Sequence, residues 1–122
     1  MIVNNASARP LRTEEHSFLY ALLRHVSYDE HAIRQLAQAQ VSDLNDGGMG
    51  SVRFLGDEHR RQGACLAEAE YTDCDGVPVS IALNVDEDGR LYELDMWKVD
   101  FAPLREYPTF NECVMIKGQS EI

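Results

Sequence analysis

Long hydrophobic runs are absent from this sequence of 122 residues. No stretch approaches the roughly 20 apolar residues that a bilayer-spanning helix needs. Residues 1–12 carry neither an apolar signal core nor an early cluster of positive charge. We therefore expect no targeting segment and no contact with a membrane, and we interpret the chain as cytoplasmic.

Cysteine is also scarce, with three residues at irregular spacing, Cys65, Cys74 and Cys113. An odd number of cysteines without regular spacing does not make a disulfide framework. The sequence has no CxxC pair, so a structural zinc site is not expected. We interpret the three cysteines as reduced thiols, and we predict no metal site and no cofactor.

Basic residues are few: eleven lysines and arginines stand against twenty-one acidic residues, which gives a net charge of −10. Nucleic acids and anionic membranes carry the same sign of charge, so neither is an expected partner. A macromolecular partner of this chain would be basic. The alternative is that the acidity serves solubility alone.

What the sequence does contain fits one domain of ordinary size. Its hydrophobic share of 44% is typical of a globular protein. We predict a single domain over residues 1–122, made of a loose arm at 1–10, a helical part at 11–42, an antiparallel sheet at 49–104 and a tail at 105–122.

Two helices are predicted in the first third of the chain. Thr13 as an N-cap, with acidic residues in the next two positions, begins a first helix over residues 14–25. Its apolar residues recur at helical spacing: Phe18, Leu19, Leu22, Leu23 and Val26. Ser27 and Glu30 fit a capping box for a second helix with a weaker apolar pattern.

The second half of the chain is predicted to form strands around two Asp-Gly pairs, at residues 75–76 and 88–89. Asp-Gly is an expected pair for tight hairpins. Apolar residues alternate between the two turns, at Val77, Val79, Ile81, Leu83 and Val85. Further strands are predicted at 51–55, 64–71, 91–101 and 113–116. The fold class is therefore α+β, with two N-terminal helices packed on one face of a mostly antiparallel four- to five-stranded sheet.

Alternation along the strands assigns residues to the two faces of this sheet. The predicted core face takes Val52, Phe54, Cys65, Ala67, Ala69, Tyr71, Val77, Val79, Ile81, Leu83, Val85, Tyr92, Leu94 and Met96. The opposite face takes Arg53, Glu68, Glu70, Ser80, Ala82, Asn84, Glu93, Asp95 and Trp97. An antiparallel sheet can be solvated on one side, so the division is physically sound.

Four carboxylates make the second face negative: Glu68, Glu70, Glu93 and Asp95. Like charges on one face cost stability, which favours a partner that uses them. The alternative is an ordinary solvated face. Trp97 lies at the margin of this face, and parity places Val99 and Phe101 beside it. We expect the C-terminal tail to fold over these three residues, because exposed apolar patches are unusual on monomers. The alternative is that they form an exposed apolar patch.

No catalytic motif stands out, and no catalytic residue is predicted. The Asp-Gly pairs lack the twelve-residue calcium loop with its closing glutamate, so we interpret them as turns. A Cys-His nucleophilic pair has no support in the local sequence. The glycine-rich segment at residues 45–51 precedes a strand, whereas phosphate-binding loops precede a helix.

Most of the chain resembles a small bacterial family of domains of unknown function. The resemblance rests on residues 12–15 (RTEE), 45–51 (NDGGMGS), 71–80 (YTDCDGVPVS), 83–86 (LNVD), 89 (G) and 91–104 (LYELDMWKVDFAPL). The family carries no established activity, so the resemblance implies none. Small acidic domains of this kind are similar to immunity proteins of bacterial toxin–antitoxin systems.

Three functional hypotheses follow. The first is an acidic protein-binding domain, specifically an immunity protein that neutralises a basic cognate toxin. The second is a small enzyme or ligand-binding domain with a site near residues 45–51 and with Asp95, Lys98 and Asp100 as polar groups. The third is a homo-oligomer, such as a homodimer, that uses the Trp97 patch. The partner-binding residues predicted for the first hypothesis are Glu68, Glu70, Glu93, Asp95 and Trp97.

Overall fold

The computed structural model describes residues 8–118 and has an α+β architecture. Its helices are α1 (Thr13–His25) and α2 (Glu30–Gln35), and short 3₁₀ turns occupy Leu36–Gln38 and Phe110–Glu112. Its strands are β1 (Arg9–Pro10), β2 (Gln40–Asp43), β3 (Val52–Phe54), β4 (Gln62–Thr72), β5 (Pro78–Asp86), β6 (Leu91–Lys98) and β7 (Val114–Lys117).

The strands form one antiparallel sheet in the order β1-β2-β3-β6-β5-β4-β7. The α+β class is confirmed, but the described residues contain seven strands and not four to five. The unpredicted strands, β1 and β2, have two and four residues. Such short segments show no readable alternation, and they are strands because β1 pairs with β2 and β2 pairs with β3.

A meander of β4, β5 and β6 forms the centre of the sheet, joined by the two predicted Asp-Gly turns. Gly76 and Gly89 have φ angles of +81° and +82° in these turns, a region that glycine enters without steric cost. Strand β3 precedes the meander in sequence but lies beside β6, which makes a Greek-key arrangement.

Arg60 holds the connection between β3 and β4 in place. Its guanidinium donates hydrogen bonds to the backbone oxygens of Phe54 and Leu91, the latter at 2.9 Å, and pairs with the Asp86 carboxylate at 3.1 Å. Asp86 is buried, so the ion pair satisfies a carboxylate that solvent does not reach.

The N-cap residue of each helix differs from the predicted one, by one position for α1 and by two positions for α2. Arg12, and not Thr13, is the N-cap of α1, and its backbone N–H donates to the Glu15 carboxylate at 2.7 Å. Asp29, and not Ser27, is the N-cap of α2, and Ser27 has a left-handed φ of +54°. The predicted helical part at 11–42 is also too long, because its last residues join β2.

Most of the predicted loose arm, residues 1–7, lies outside the described residues. Within the described part, Arg9 pairs opposite Val41 in β2, so the end of the arm belongs to the sheet. Arg9 also forms ion pairs with Glu15 and Asp43, each at 2.7 Å. These contacts tie β1 to the start of α1 and to β2.

The core lies between the helices and one face of the sheet, as predicted. Apolar side chains of α1 pack against the inward residues of β3 to β6. The buried cluster includes Phe18, Leu19, Leu22, Leu23, Val52, Phe54, Ala67, Ala69, Val79, Ile81, Leu83, Leu94 and Met96. Burying one such side chain contributes roughly 1.5–3 kcal/mol, so this layer stabilises the whole fold.

Three residues predicted for the core face lie elsewhere. A register shift in β4 places Cys65 opposite Asn84, and a second shift at β6 leaves Tyr92 without an opposite residue. Such β-bulges turn a residue away from the face that strict alternation predicts. Cys65 and Tyr92 are therefore only half-buried, as is Val77, which precedes the start of β5.

Strand β6 ends three residues earlier than predicted. The backbone N–H of Phe101 donates to the oxygen of Lys98 at 2.9 Å, which closes a turn, and Phe101 has a φ of +63°. Val99 and Phe101 therefore do not continue the strand. Within residues 8–118, no helix is both long and apolar enough to cross a bilayer.

Candidate functional site

The sheet face opposite the helices, called here the open face, carries all five residues predicted to bind a partner. The strand register places Ala82 directly between Glu68 and Asp95, and Ser80 between Glu70 and Trp97. The third row places Asn84 opposite Glu93. Directly opposite residues of antiparallel strands share a face. The open face includes Glu68, Glu70, Ser80, Ala82, Asn84, Glu93, Asp95 and Trp97, and the register adds Arg53, Cys65 and Lys117 to it.

A shallow groove of about 320 Å³ crosses the centre of the open face. Its floor lies over β5, where the side chains of Ser80 and Ala82 are short. Its sides are formed by residues of β4, β6 and β7, which include Glu68, Glu70, Asp95, Trp97 and Ile116. The groove therefore exists because the outward side chains of β5 are small and those of the neighbouring strands are large.

Trp97 is left half exposed by the described part of the C-terminal tail, residues 105–118, contrary to prediction. Its side chain is 50% exposed, and the described part of the tail forms β7 along the edge of β4. The ring of Phe101 packs edge-on against Trp97, with a centroid distance of 4.8 Å, and is itself 64% exposed. With the exposed side chains of Val99 and Ile116, these rings give the open face an apolar margin.

Phe101 is held in a backbone conformation that bulky residues rarely adopt, with φ of +63°. The hydrogen bond to Lys98 fixes the turn, and the Asp100 carboxylate accepts the next N–H, that of Ala102, at 3.0 Å. Non-glycine residues in this region cost about 1–3 kcal/mol and concentrate at functional sites. The conformation presents an aromatic ring to solvent beside Trp97.

Two carboxylates of the open face interact with each other. Glu93 is 8% exposed and pairs with Arg53 at 2.8 Å, while Asn84 donates to Asp95 at 2.8 Å. Burial, followed by the charge and hydrogen bonding of Glu93, raises the pKa of Asp95 to about 6, although Arg53 and Asn84 oppose the shift. Asp95 is therefore an acid whose ionised form is poorly compensated within the chain.

The carboxylates on β4 are free of ion pairs among the described residues. Glu70 is exposed, and Glu68 has one weak partner, the Cys65 thiol at 3.6 Å. Lys117 of β7 lies opposite Glu68 in the register but forms no ion pair with it. Arg53 is engaged by Glu93, so the groove keeps a negative charge.

The polar residues of the second hypothesis do not converge on one site. Asp95 lies on the open face, while Lys98 is fully buried on the core face, opposite Val79. The Lys98 ammonium donates to Asp73 at 2.8 Å, to Asp75 at 2.7 Å and to a backbone oxygen at 3.3 Å. All three donors of the ammonium are thus engaged, which is a structural role.

Asp73 is the centre of this buried cluster of Lys98, Asp73 and Asp75. Its carboxylate also accepts the backbone N–H groups of Arg105 at 2.8 Å and Glu106 at 3.1 Å. Burial alone would raise the pKa of Asp73, but these hydrogen bonds and Lys98 lower it well below its ordinary value. The cluster fastens the β4–β5 turn to the segment that follows β6.

The glycine-rich segment at residues 45–51 is likewise occupied by structural contacts. The Asp46 carboxylate accepts the N–H groups of Met49 and Ser51, each at 3.0 Å. The Ser51 hydroxyl accepts the N–H of Met96 at 2.8 Å, which joins the segment to β6. A Cβ on Gly50, whose φ is +101°, would lie 3.3 Å from the Met96 sulfur. Glycine is needed here chiefly because other residues rarely adopt this φ, and the segment has a structural role in joining its loop to β6.

Metal binding is equally unsupported by the geometry. Across residues 8–118, no three His, Cys, Asp or Glu side chains are grouped so that they could hold a metal ion. The two Asp-Gly segments form hairpin turns in which Asp75 and Asp86 accept neighbouring backbone N–H groups.

Parity along the predicted last strand places Val99 and Phe101 with Trp97 on the acidic face, and the structure brings the Phe101 ring against Trp97. Sequence reasoning missed one residue of the groove, Ile116. Its position has no signal in the sequence, because it depends on the pairing of β7 with β4.

Fold and site together define a small α+β domain, with helices on one face of an antiparallel sheet and an acidic, aromatic-edged face on the other. The chain belongs to the family described as domain of unknown function DUF6984, whose profile matches residues 8–108. The resemblance to such a family is thereby confirmed. Neither the curated proteins nor the solved structures include a match. Strand β7 lies beyond the matched residues.

Proposed function

We propose that this chain is a protein-binding domain that captures a basic partner on its open face. One observation carries the proposal: a negatively charged sheet face is bordered by Trp97 and Phe101, two large aromatic side chains that are at least half exposed. Acidity for solubility would account for the carboxylates but not for the exposed rings. Aromatic residues are enriched at the centres of protein interfaces.

The chemistry of the partner follows from that of the face. Glu68, Glu70 and Asp95 form no ion pair among the described residues, although Lys117 lies opposite Glu68, so they favour lysine or arginine on the other protein. Complementary charge speeds association and selects among partners. The aromatic margin favours an apolar residue next to those basic ones.

The specific form of this proposal is an immunity protein that neutralises a basic cognate toxin. Its support is the combination of small size, net charge of −10 and an open acidic face. The test is co-expression of the chain with the protein encoded beside it. Growth should be rescued by the native chain and lost with a variant that no longer binds.

The variant that best removes the charge of the face is Glu68→Lys with Glu70→Lys. Reversal of Glu93 is less suitable, because it would also break the buried ion pair with Arg53. The matched control is Glu14→Lys with Glu58→Lys, which changes the net charge equally at two exposed positions away from the open face. The proposal predicts that the first pair abolishes capture of the partner and that the control pair retains it.

A second copy of this chain is a less favoured occupant of the face. Two identical acidic surfaces would repel each other at low ionic strength. Light scattering at low and high salt tests this point, and a stable dimer at low salt that dissociates on Trp97→Ala would replace the proposal.

A further inference from the structure

We propose, on the basis of the protein-binding function above, that the groove on the open face receives an arginine side chain of the partner. Its guanidinium lies over Ala82 between Glu68 and Asp95, and its aliphatic stem lies along Trp97.

The strand register provides the geometry for the guanidinium. Glu68 and Asp95 stand on either side of Ala82 in one row of the sheet, and neighbouring strands lie about 4.8 Å apart. The two carboxylates are therefore rooted about 10 Å from each other, across a residue whose side chain is a single methyl group. That space admits a flat cation that can hydrogen-bond to both sides.

The next row of the sheet provides the contact for the stem. Here Ser80 lies between Glu70 and Trp97, so the floor is again low and one wall is an indole ring. Phe101 packs edge-on against Trp97 and supports this wall. Ile116 closes the groove from the β7 side. An arginine side chain matches this groove, because its aliphatic stem can lie along the apolar wall while its charged end lies between the carboxylates.

Arginine fits these walls better than lysine does. A guanidinium is planar, binds carboxylates with two parallel hydrogen bonds and stacks on aromatic rings. An ammonium is a compact charge that would satisfy one carboxylate and leave the other unpaired. Charge complementarity favours a basic side chain, and shape together with hydrogen-bond geometry favours arginine over lysine.

Trp97 is the only tryptophan in the chain, so its fluorescence reports on the groove alone. The probe is the peptide acetyl-Gly-Arg-Gly-amide, titrated into the full chain at low salt. Matched peptides carry lysine or the uncharged arginine analogue citrulline. We expect a saturable change with arginine, binding at least threefold weaker with lysine, and no saturable change with citrulline.

Two variants assign the response to the groove. Ala82→Leu fills the floor and Asp95→Asn removes one carboxylate, and each should weaken arginine binding at least fivefold while circular dichroism stays native. Glu14→Gln, on helix α1, is the control and should leave it unchanged. Equal responses to arginine and citrulline, or arginine binding unchanged in a folded Asp95→Asn variant, would overturn the inference.

Failure of the arginine anchor can be distinguished from failure of the proposed protein-binding function. If Ala82→Leu captures the partner as well as the native chain does, while Glu68→Lys with Glu70→Lys does not, the open face binds the partner without an arginine anchor. If the charge-reversed pair still captures the partner, the proposed function itself fails, whatever the peptide does.

Discussion

Asp95 should be held in the folded chain at a cost to stability, and replacing it with asparagine should reveal that cost. Its pKa rises from an ordinary value of 3.8 to about 6 because of burial and the neighbouring charge of Glu93. We expect Asp95→Asn to increase the free energy of unfolding at pH 7. The asparagine oxygen can still accept the hydrogen bond from Asn84, and its amide can donate to Glu93.

The size of the expected gain in stability follows from the pKa shift of Asp95. About two pKa units correspond to about 3 kcal/mol if the group were fully shielded. Asp95 keeps part of its contact with solvent, so screening reduces the expected gain to about 1 kcal/mol. A gain of this size would show that a residue of the open face is not optimised for folding, as is common at functional sites.

The pH dependence has a definite sign. Between about pH 4 and pH 6 the folded chain keeps the proton of Asp95 while the unfolded chain releases it. The stability contributed by this group therefore falls as pH rises through that window, and it stays at its lower value above pH 6. Asparagine has no such dependence, so its advantage should shrink as pH falls towards 4.

Urea unfolding at about pH 7 and about pH 4.5 measures both effects. Glu70→Gln is the matched control, because it removes a charge from the same face at an exposed position without an ion pair, and it should change stability by less than about 0.5 kcal/mol. Destabilisation by Asp95→Asn at pH 7, or an equal gain at both pH values, would refute this reasoning.

Three further substitutions test the roles assigned to other residues. Lys98→Met should lower the urea midpoint severalfold more than Arg105→Met, because it leaves the Asp73 carboxylate buried without its cation. Equal shifts of the midpoint would show that the buried cluster does not stabilise the fold. Arg60→Ala should cost about 2 kcal/mol in urea unfolding by removing the bonds that hold the β3–β4 connection, whereas a negligible loss would show that the connection is held otherwise. Phe101→Gly relieves the left-handed backbone, so it should change stability by less than about 1 kcal/mol yet weaken partner capture at least threefold; unchanged capture would remove Phe101 from the interface.

The open face was predictable because alternation along a strand fixes parity, and parity placed Glu68, Glu70, Glu93, Asp95 and Trp97 together. The bulges that move Cys65 and Tyr92 could not be predicted, because an inserted residue produces no recognisable pattern in the sequence. Likewise, β1 and β2 are too short for a pattern and exist only through pairing. Local periodicity therefore carried the prediction where strands are long.

Burial of Lys98 was within reach of the same parity argument, since Leu94, Met96 and Lys98 alternate on one face. Its acidic partners come from the β4–β5 turn, and that contact depends on tertiary structure. The exposure of Trp97 also depends on tertiary structure. The path of the tail determines whether the ring is covered, and that path is set by the pairing of β7 with β4.

Binding of a basic protein should depend on the open face and not on the net charge of the chain. The most direct test is the affinity of the captured partner for the native chain, for Glu68→Lys with Glu70→Lys, and for Glu14→Lys with Glu58→Lys, measured at one salt concentration. We predict at least a hundredfold loss for the open-face pair and less than a threefold loss for the control pair. Equal losses would show that net charge alone drives binding, and native affinity in the open-face pair would place the interface elsewhere.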